Sequence, residues 1–182
     1  EVEVVMKDIR MEFVEIGLKG IEKNLSKSLE KGKITAEEKT AILSRFTPVV
    51  ELTKEVCDVD LVIEAVVENM NIKKAIFTKL DELCTERTIL ATNTSSLPLT
   101  AVGALTNRPD RVIGMHFFNP AVVMKLVEIV DGLGTSQDTS EKIYKLAQEL
   151  GKAPVKVADF PGFVGNRIMI PMINEAIFTL ME

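Results

Sequence analysis

The chain has 182 residues, of which 46% are hydrophobic, and a net charge of −5. The apolar fraction suits a packed core and excludes a disordered chain, while the mild negative charge argues against wrapping nucleic acid or lying on an anionic membrane. No run of about 18 apolar residues marks a membrane-spanning helix, and Glu1-Val2-Glu3 does not read as a signal peptide, so a cytoplasmic protein is expected.

The length suits one large domain, or one domain with part of another. A strand is predicted at Val2 to Lys7, ending at Asp8. A long helix follows, with Phe13, Ile16, Ile21, Leu25 and Leu29 on one stripe and Lys31-Gly32 closing it. Thr35-Ala36-Glu37-Glu38 reads as a capping box opening a second, shorter helix. A weak strand lies near Thr47 to Glu51. Asp60 to Val66 is almost continuously apolar, the pattern of a parallel strand covered on both faces. Met70 to Cys84 reads as a helix burying Ile72, Ile76, Leu80 and Leu83. Strands follow at Thr88 to Thr92, Val112 to Phe117 and Lys125 to Asp131, with a short helical turn before Arg108-Pro109-Asp110. A helix from about Ser140 to Leu150 ends at Gly151, and a last strand runs from Ala153 to Ala158. Pro161-Gly162 breaks the chain before a final apolar helix. Strands alternating with helices imply an α/β fold with a doubly wound, mostly parallel sheet.

Ligands in such sheets sit beyond the carboxyl ends of the strands. The residues standing there are Asp8, Glu68 with Asn69, Asn93 to Ser96, His116 to Asn119, and Asp159 to Asn166. Their convergence on one edge would make an active site. His116 is the only histidine, and the two cysteines, Cys57 and Cys84, have no metal-ligand spacing, so no metal site is expected. Glu128 shares a strand face with Leu126 and Val130, where a carboxylate needs a partner. A histidine on a neighbouring strand would serve. Glu64 meets the same description beside Val62 and Val66, and the pattern does not choose between them.

Three stretches, A-T-N-T-S-S-L (91–97), G-M-H-F-F-N-P-A-V-V-M-K-L-V-E (114–128) and P-G-F-V-G-N-R (161–167), together resemble the L-3-hydroxyacyl-CoA dehydrogenases, in particular the bacterial 3-hydroxybutyryl-CoA enzymes. D-L-V-I-E-A-V-V-E (60–68) extends the likeness. The resemblance implies a Rossmann-type fold and NAD-dependent interconversion of (S)-3-hydroxyacyl-CoA and 3-ketoacyl-CoA, with 3-hydroxybutyryl-CoA and acetoacetyl-CoA as the expected pair. It makes His116 the general acid/base and Glu128 the carboxylate that orients it. Ser95 and Asn166 would hydrogen-bond the reacting end of the substrate. Asn119 would position the cofactor and the histidine, and Asp8 would hold the adenine ribose. Ala65, Glu68, Lys73 and Ser95 fall at cofactor contacts, although Lys73 also suits an exposed helix face. The chemistry agrees with these residue types. Hydride leaves a carbinol carbon only as its hydroxyl loses a proton, so a base must lie within hydrogen-bond reach.

Asp8 favours NAD by repelling a 2′-phosphate, whereas Lys7 and Arg10 beside it leave NADP possible. The family's opening strand and G-x-G-x-x-G loop are not found in these residues, and only the first helix of its C-terminal helical domain is. Residues 1–160 are therefore expected to form an NAD-binding domain incomplete at its N-terminus, and 161–182 to begin the substrate and dimerisation domain. The strands ending at Asp8 and Val66 would then lack a shared neighbour. The chain is expected to be a fragment of a longer homodimeric enzyme, or to have another chain fill the gap. Two alternatives are an inactive binding module of the same fold and a dehydrogenase of a non-thioester hydroxy acid.

Overall fold

The computed structural model describes residues 2–182. Within them are two compact units, one ending at Cys57 and the other beginning at Asp58. In the first, β1 (Val4–Lys7) pairs in parallel with β2 (Phe46–Val49). Between them in sequence come α1 (Met11–Glu30) and α2 (Ala36–Leu43). The Thr35 capping box forms as expected. Its hydroxyl accepts from the Glu38 N–H at 3.2 Å, and the Glu38 carboxylate accepts from the Thr35 N–H at 2.7 Å. The α1 stripe needs one correction, because Ile16 is 63% exposed and Val14 is the fully buried residue. Val14, Leu18, Ile21 and Leu25 recur at helical spacing. Ile16, two positions from Val14, points to the other side.

The second unit is built on five strands in the order β3 (Leu61–Glu64), β4 (Ile89–Thr92), β5 (Val112–Phe117), β6 (Leu126–Asp131) and β7 (Ala153–Ala158). All neighbours are parallel except β5 and β6, which are antiparallel. The connections supply α3 (Met70–Leu83), α4 (Leu99–Gly103), α5 (Gln137–Glu149) and the final α6 (Gly165–Met181). Alternation divides the sheet into two faces. On one, Ile89, Ala91, Ile113, Met115, Val127 and Ile129 pack against Ile143 and Ala147 of α5. Each fully buried aliphatic side chain there contributes about 1.5–3 kcal/mol. On the other, Val130 packs with Leu99 and Phe163.

The α/β class and the mostly parallel sheet are as expected. Among the described residues, β1 and β3 each have one hydrogen-bonded neighbour and belong to separate sheets. β3 is shorter and less covered than its apolar run suggests, with Ile63 43% exposed. α5 begins earlier than predicted because Ser136 caps it, accepting from the Thr139 N–H. In α3 the buried stripe is Lys73, Phe77 and Leu80, while Ile72 is exposed. None of the residues of α6 is buried, and no helix among the described residues is long and apolar enough to cross a membrane.

The antiparallel step also corrects the expected convergence. β3, β4 and β5 end at one edge of the sheet, but β6 and β7 run the other way and end at the opposite edge. Asp159 therefore does not join His116. Its carboxylate accepts from the backbone N–H groups of Leu99 and Thr100 and from the Thr100 hydroxyl, capping α4. The chain then returns to bring residues 163–165 onto the face that carries β5 and β6.

Candidate active site

Strand register sets the central pair. His116 of β5 lies directly opposite Glu128 of β6, so both side chains rise from the same face. The imidazole Nδ1 and Glu128 Oε2 are 2.7 Å apart. Glu128 Oε1 accepts from the backbone N–H groups of Val164 at 3.0 Å and Gly165 at 2.8 Å, at the start of α6. A carboxylate taking two N–H donors on one oxygen is an acceptor on the other, which puts the ring proton on Nδ1. Nε2 then has a free lone pair, and Ser95 Oγ donates to it at 3.0 Å. Both partners are enclosed, His116 at 4% and Glu128 at 1% exposure. Phe118 lies against the imidazole with ring centroids 4.7 Å apart, and Phe163 meets it edge-on at 5.5 Å. Water is thus kept from the Nδ1–carboxylate bond, and the Nε2 side carries the serine.

The turn that delivers these amides has an unusual backbone. Gly162 and the buried Phe163 both have positive φ, 76° and 49°. Gly165 permits the close approach, since a Cβ there would stand 2.7 Å from Phe118 Cζ. Sequence reasoning pointed to His116, Glu128 and Ser95 but missed the amides of Val164 and Gly165. The two glycines flanking Phe163 were the available signal.

The serine loop is held from β3. The Asn93 N–H donates to the Glu64 carbonyl at 2.8 Å, and Asn93 Oδ1 accepts from the Phe117 N–H at 2.8 Å. Glu68 Oε1 accepts four hydrogen bonds, from the Thr94 hydroxyl (2.5 Å), the Ser95 N–H (2.9 Å), the Ser96 N–H (3.0 Å) and the Ser96 hydroxyl (3.1 Å). Partial burial pulls the Glu68 carboxyl up, but these donors and the nearby Lys73 charge outweigh it and hold it below the usual carboxylate range. The reading of Lys73 as a solvated surface residue is corrected. It is fully buried, with Nζ 2.8 Å from both Glu64 oxygens, 3.5 Å from Thr92 Oγ1 and 3.6 Å from Glu68 Oε2. Glu64 therefore has its own cation and is not the partner of His116.

Ala65 is exposed just past β3, and Asn119 is exposed beyond β5. Asn166 is half-buried in the first turn of α6. Neither asparagine side chain makes a hydrogen bond among the described residues. Asp8 belongs to the first unit, where it is exposed and accepts from the Ile9 N–H at 2.6 Å. Arg10 is engaged by Glu12 at 3.1 Å and stacks over the Phe13 ring at 4.3 Å. No cluster that could hold a metal ion is present among the described residues. What the strand ends do offer is a partly exposed carboxylate at Glu68, an amide at Asn119 and open backbone at Ala65. That donor and acceptor set fits ribose hydroxyls and a carboxamide, the polar groups of a nicotinamide nucleoside.

A family model for the NAD binding domain of 3-hydroxyacyl-CoA dehydrogenase matches residues 1–160. The chain belongs to this family. It is 50% identical over 179 residues, 98% of its length, to a Bacillus subtilis (strain 168) protein named "Probable 3-hydroxybutyryl-CoA dehydrogenase", of which it covers 62%. It is 53% identical over 157 residues to the 3-hydroxybutyryl-CoA dehydrogenase of Clostridioides difficile, covering 86% of this chain and 56% of that one. The chain thus spans roughly three-fifths of the length of these curated relatives. Among solved structures it resembles the 3-hydroxybutyryl-CoA dehydrogenase of Escherichia coli K12, with a TM-score of 0.94 at 42% identity, over 98% of this chain and 38% of that one.

Proposed function

We propose that the chain carries the reacting centre of an enzyme that interconverts (S)-3-hydroxyacyl-CoA and 3-ketoacyl-CoA with NAD, 3-hydroxybutyryl-CoA and acetoacetyl-CoA being the substrate pair. The observation that carries this reading is the hydrogen-bonded series Ser95–His116–Glu128 at the ends of β4 and β5. In oxidation, His116 Nε2 accepts the proton of the C3 hydroxyl; in reduction it returns it. Glu128 keeps the ring proton on Nδ1 and stabilises the imidazolium that forms, without itself taking the proton. When substrate binds, the Ser95 proton turns from Nε2 to the C3 oxygen, which frees Nε2 for the substrate hydroxyl, and Asn166 donates to the same oxygen as charge develops there. The bound nicotinamide supplies hydride acceptance and donation, which is the cofactor's own chemistry. Glu68, Ala65 and Asn119 would hold its nicotinamide half, which Lys73 reaches only through Glu68; within the first unit, Asp8 offers the carboxylate suited to an adenine ribose. Asp8 favours NAD over NADP by repelling a 2′-phosphate, and Arg10, which could attract one, is already engaged by Glu12 and Phe13.

In the whole enzyme, residues 1–160 serve as the cofactor domain, and 161–182 open a helical domain that completes the substrate site and the homodimer contact. The exposed apolar side of α6 supports that division. The test is oxidation of reduced cofactor by acetoacetyl-CoA. Turnover lost by a factor of about 10²–10⁴ in His116→Ala is the expected result, and undiminished turnover overturns the proton-transfer role. Activity on a non-thioester hydroxy acid, with none on acetoacetyl-CoA, overturns the substrate class. Turnover seen only when an N-terminal extension supplies a glycine-rich loop identifies these residues as an incomplete cofactor domain.

A further inference from the structure

We propose that Lys73 is a positioning residue for this reaction: its ammonium holds Glu68 in place, and Glu68 holds the loop that presents the Ser95 hydroxyl to His116. The inference rests on the reading of His116 and Ser95 as the reacting centre.

Packing does not explain a lysine at this position. Lys73 occupies the buried stripe of α3 with Phe77 and Leu80, where an apolar side chain would fill the space without the cost of burying a charge. What the position does offer is two carboxylates aimed at one ammonium, Glu64 at 2.8 Å and Glu68 at 3.6 Å. The two have different tasks. Glu64 is wholly enclosed and also accepts from the Val66 N–H at 2.6 Å and the Thr92 hydroxyl at 2.6 Å, joining the ends of β3 and β4. The Glu68 side chain is 36% exposed and, among the described residues, its polar partners besides Lys73 all lie in the loop 94–96. A partly exposed carboxylate next to an enclosed one gains by swinging into solvent unless a cation between them cancels their repulsion. Lys73 is that cation. With Glu68 fixed, the Ser95 N–H is fixed, and the Ser95 hydroxyl stands 3.0 Å from Nε2. The series Lys73, Glu68, Ser95, His116 is continuous, and Lys73 touches neither end of the reaction.

The test needs no substrate, so an inactive chain leaves it intact. His116 is the only histidine, so its ring ¹⁵N resonances identify themselves. In Lys73→Met the amides of Ser95 and Ser96 should exchange with solvent about tenfold faster or more while those of β5 keep their rates. The Nε2 resonance should leave its parent value. Glu68→Ala, which opens no buried cavity, should do the same. Adding Lys73→Met to Glu68→Ala should change these readouts little further, since the two act in series. A merely structural lysine would give additive effects spread through α3. Unchanged Ser95 protection and Nε2 shift in folded Lys73→Met, or full additivity in the double variant, overturns the proposal. If Lys73→Met does not fold, Lys73→Gln takes its place, and if neither folds, unchanged Ser95 protection in Glu68→Ala overturns it.

Discussion

The proton transfer proposed for His116 rests on what surrounds the ring. A neutral histidine ring can carry its proton on either of two distinct nitrogens, and the Glu128 carboxylate at 2.7 Å removes the choice. Glu128→Gln preserves shape but loses the charge that stabilises an imidazolium. Turnover of acetoacetyl-CoA should fall by a factor of about 10²–10⁴ while the melting temperature changes far less than in a core truncation. A variant with full turnover would show that the carboxylate is only structural. At this scale the sequence was informative where a residue type is rare. A single histidine and a carboxylate on an apolar strand face both stood out. It left Lys73 between a cofactor contact and an exposed helix face, because a lysine in a helix usually lies outside, and only the pairing with Glu64 reveals why this one does not.

Among the elements, legibility followed locality. The Thr35 capping box depends on four consecutive residues and reads directly. Strand existence follows from apolar runs, and every predicted strand is present. Strand direction depends on tertiary pairing, and the reversal between β5 and β6 has no local signature. That reversal moved Asp159 from the expected site to the cap of α4. The same non-locality governs Arg108, which ties the C-terminus of α3 to the segment before β5. Its Nε donates to Asp81 Oδ1 at 2.7 Å, and its guanidinium also reaches the carbonyls of Asp81, Cys84 and Thr85. Burial raises the Asp81 carboxyl, but the Asn107 N–H, Arg108 and the Asn107 amide prevail and hold it below its ordinary value. A carboxyl depressed on folding stabilises the native state above its unfolded pKa of about 3.9, and that contribution is lost as pH falls through the lower folded value. Asp81→Asn should therefore cost about 1–3 kcal/mol near neutral pH. The gap to the parent should narrow below about pH 4. Urea unfolding across pH measures both, and a gap that widens in acid would reject the assignment.

For the molecule as a whole, the α/β class and the mostly parallel sheet were legible because apolar strands alternate with amphipathic helices. The division at Cys57 was not, since it reflects which strands are hydrogen-bonded to which. Uncovered apolar side chains collect along α6, where Ile168, Ile170, Met172, Ile173, Ile177, Phe178 and Leu180 are all exposed. An apolar surface of that kind on a described chain predicts dye binding and concentration-dependent self-association. Replacing Ile170, Ile173 and Ile177 by glutamine should lower both. The unfolding midpoint should shift by no more than surface substitutions usually cause, about 0.5 kcal/mol each. Sedimentation of parent and variant at several concentrations checks this, and identical self-association would remove α6 as its cause.

The two amides that grip Glu128 have a consequence for how this site tolerates change. They belong to the peptide chain and not to any side chain, so the usual scan by truncation is blind to them. Val164→Ala leaves its N–H in place, and the carboxylate should keep both donors. Val164→Pro deletes the 3.0 Å bond and nothing else polar. A mutational map read residue by residue would score position 164 as permissive, with proline the lone exception. Comparing turnover in the two variants decides the matter, and equal activity would show that the amide grip is dispensable. Part of what holds the proposed reacting centre is thus written in the path of the backbone, which amino-acid identity records only through the glycines that allow the turn.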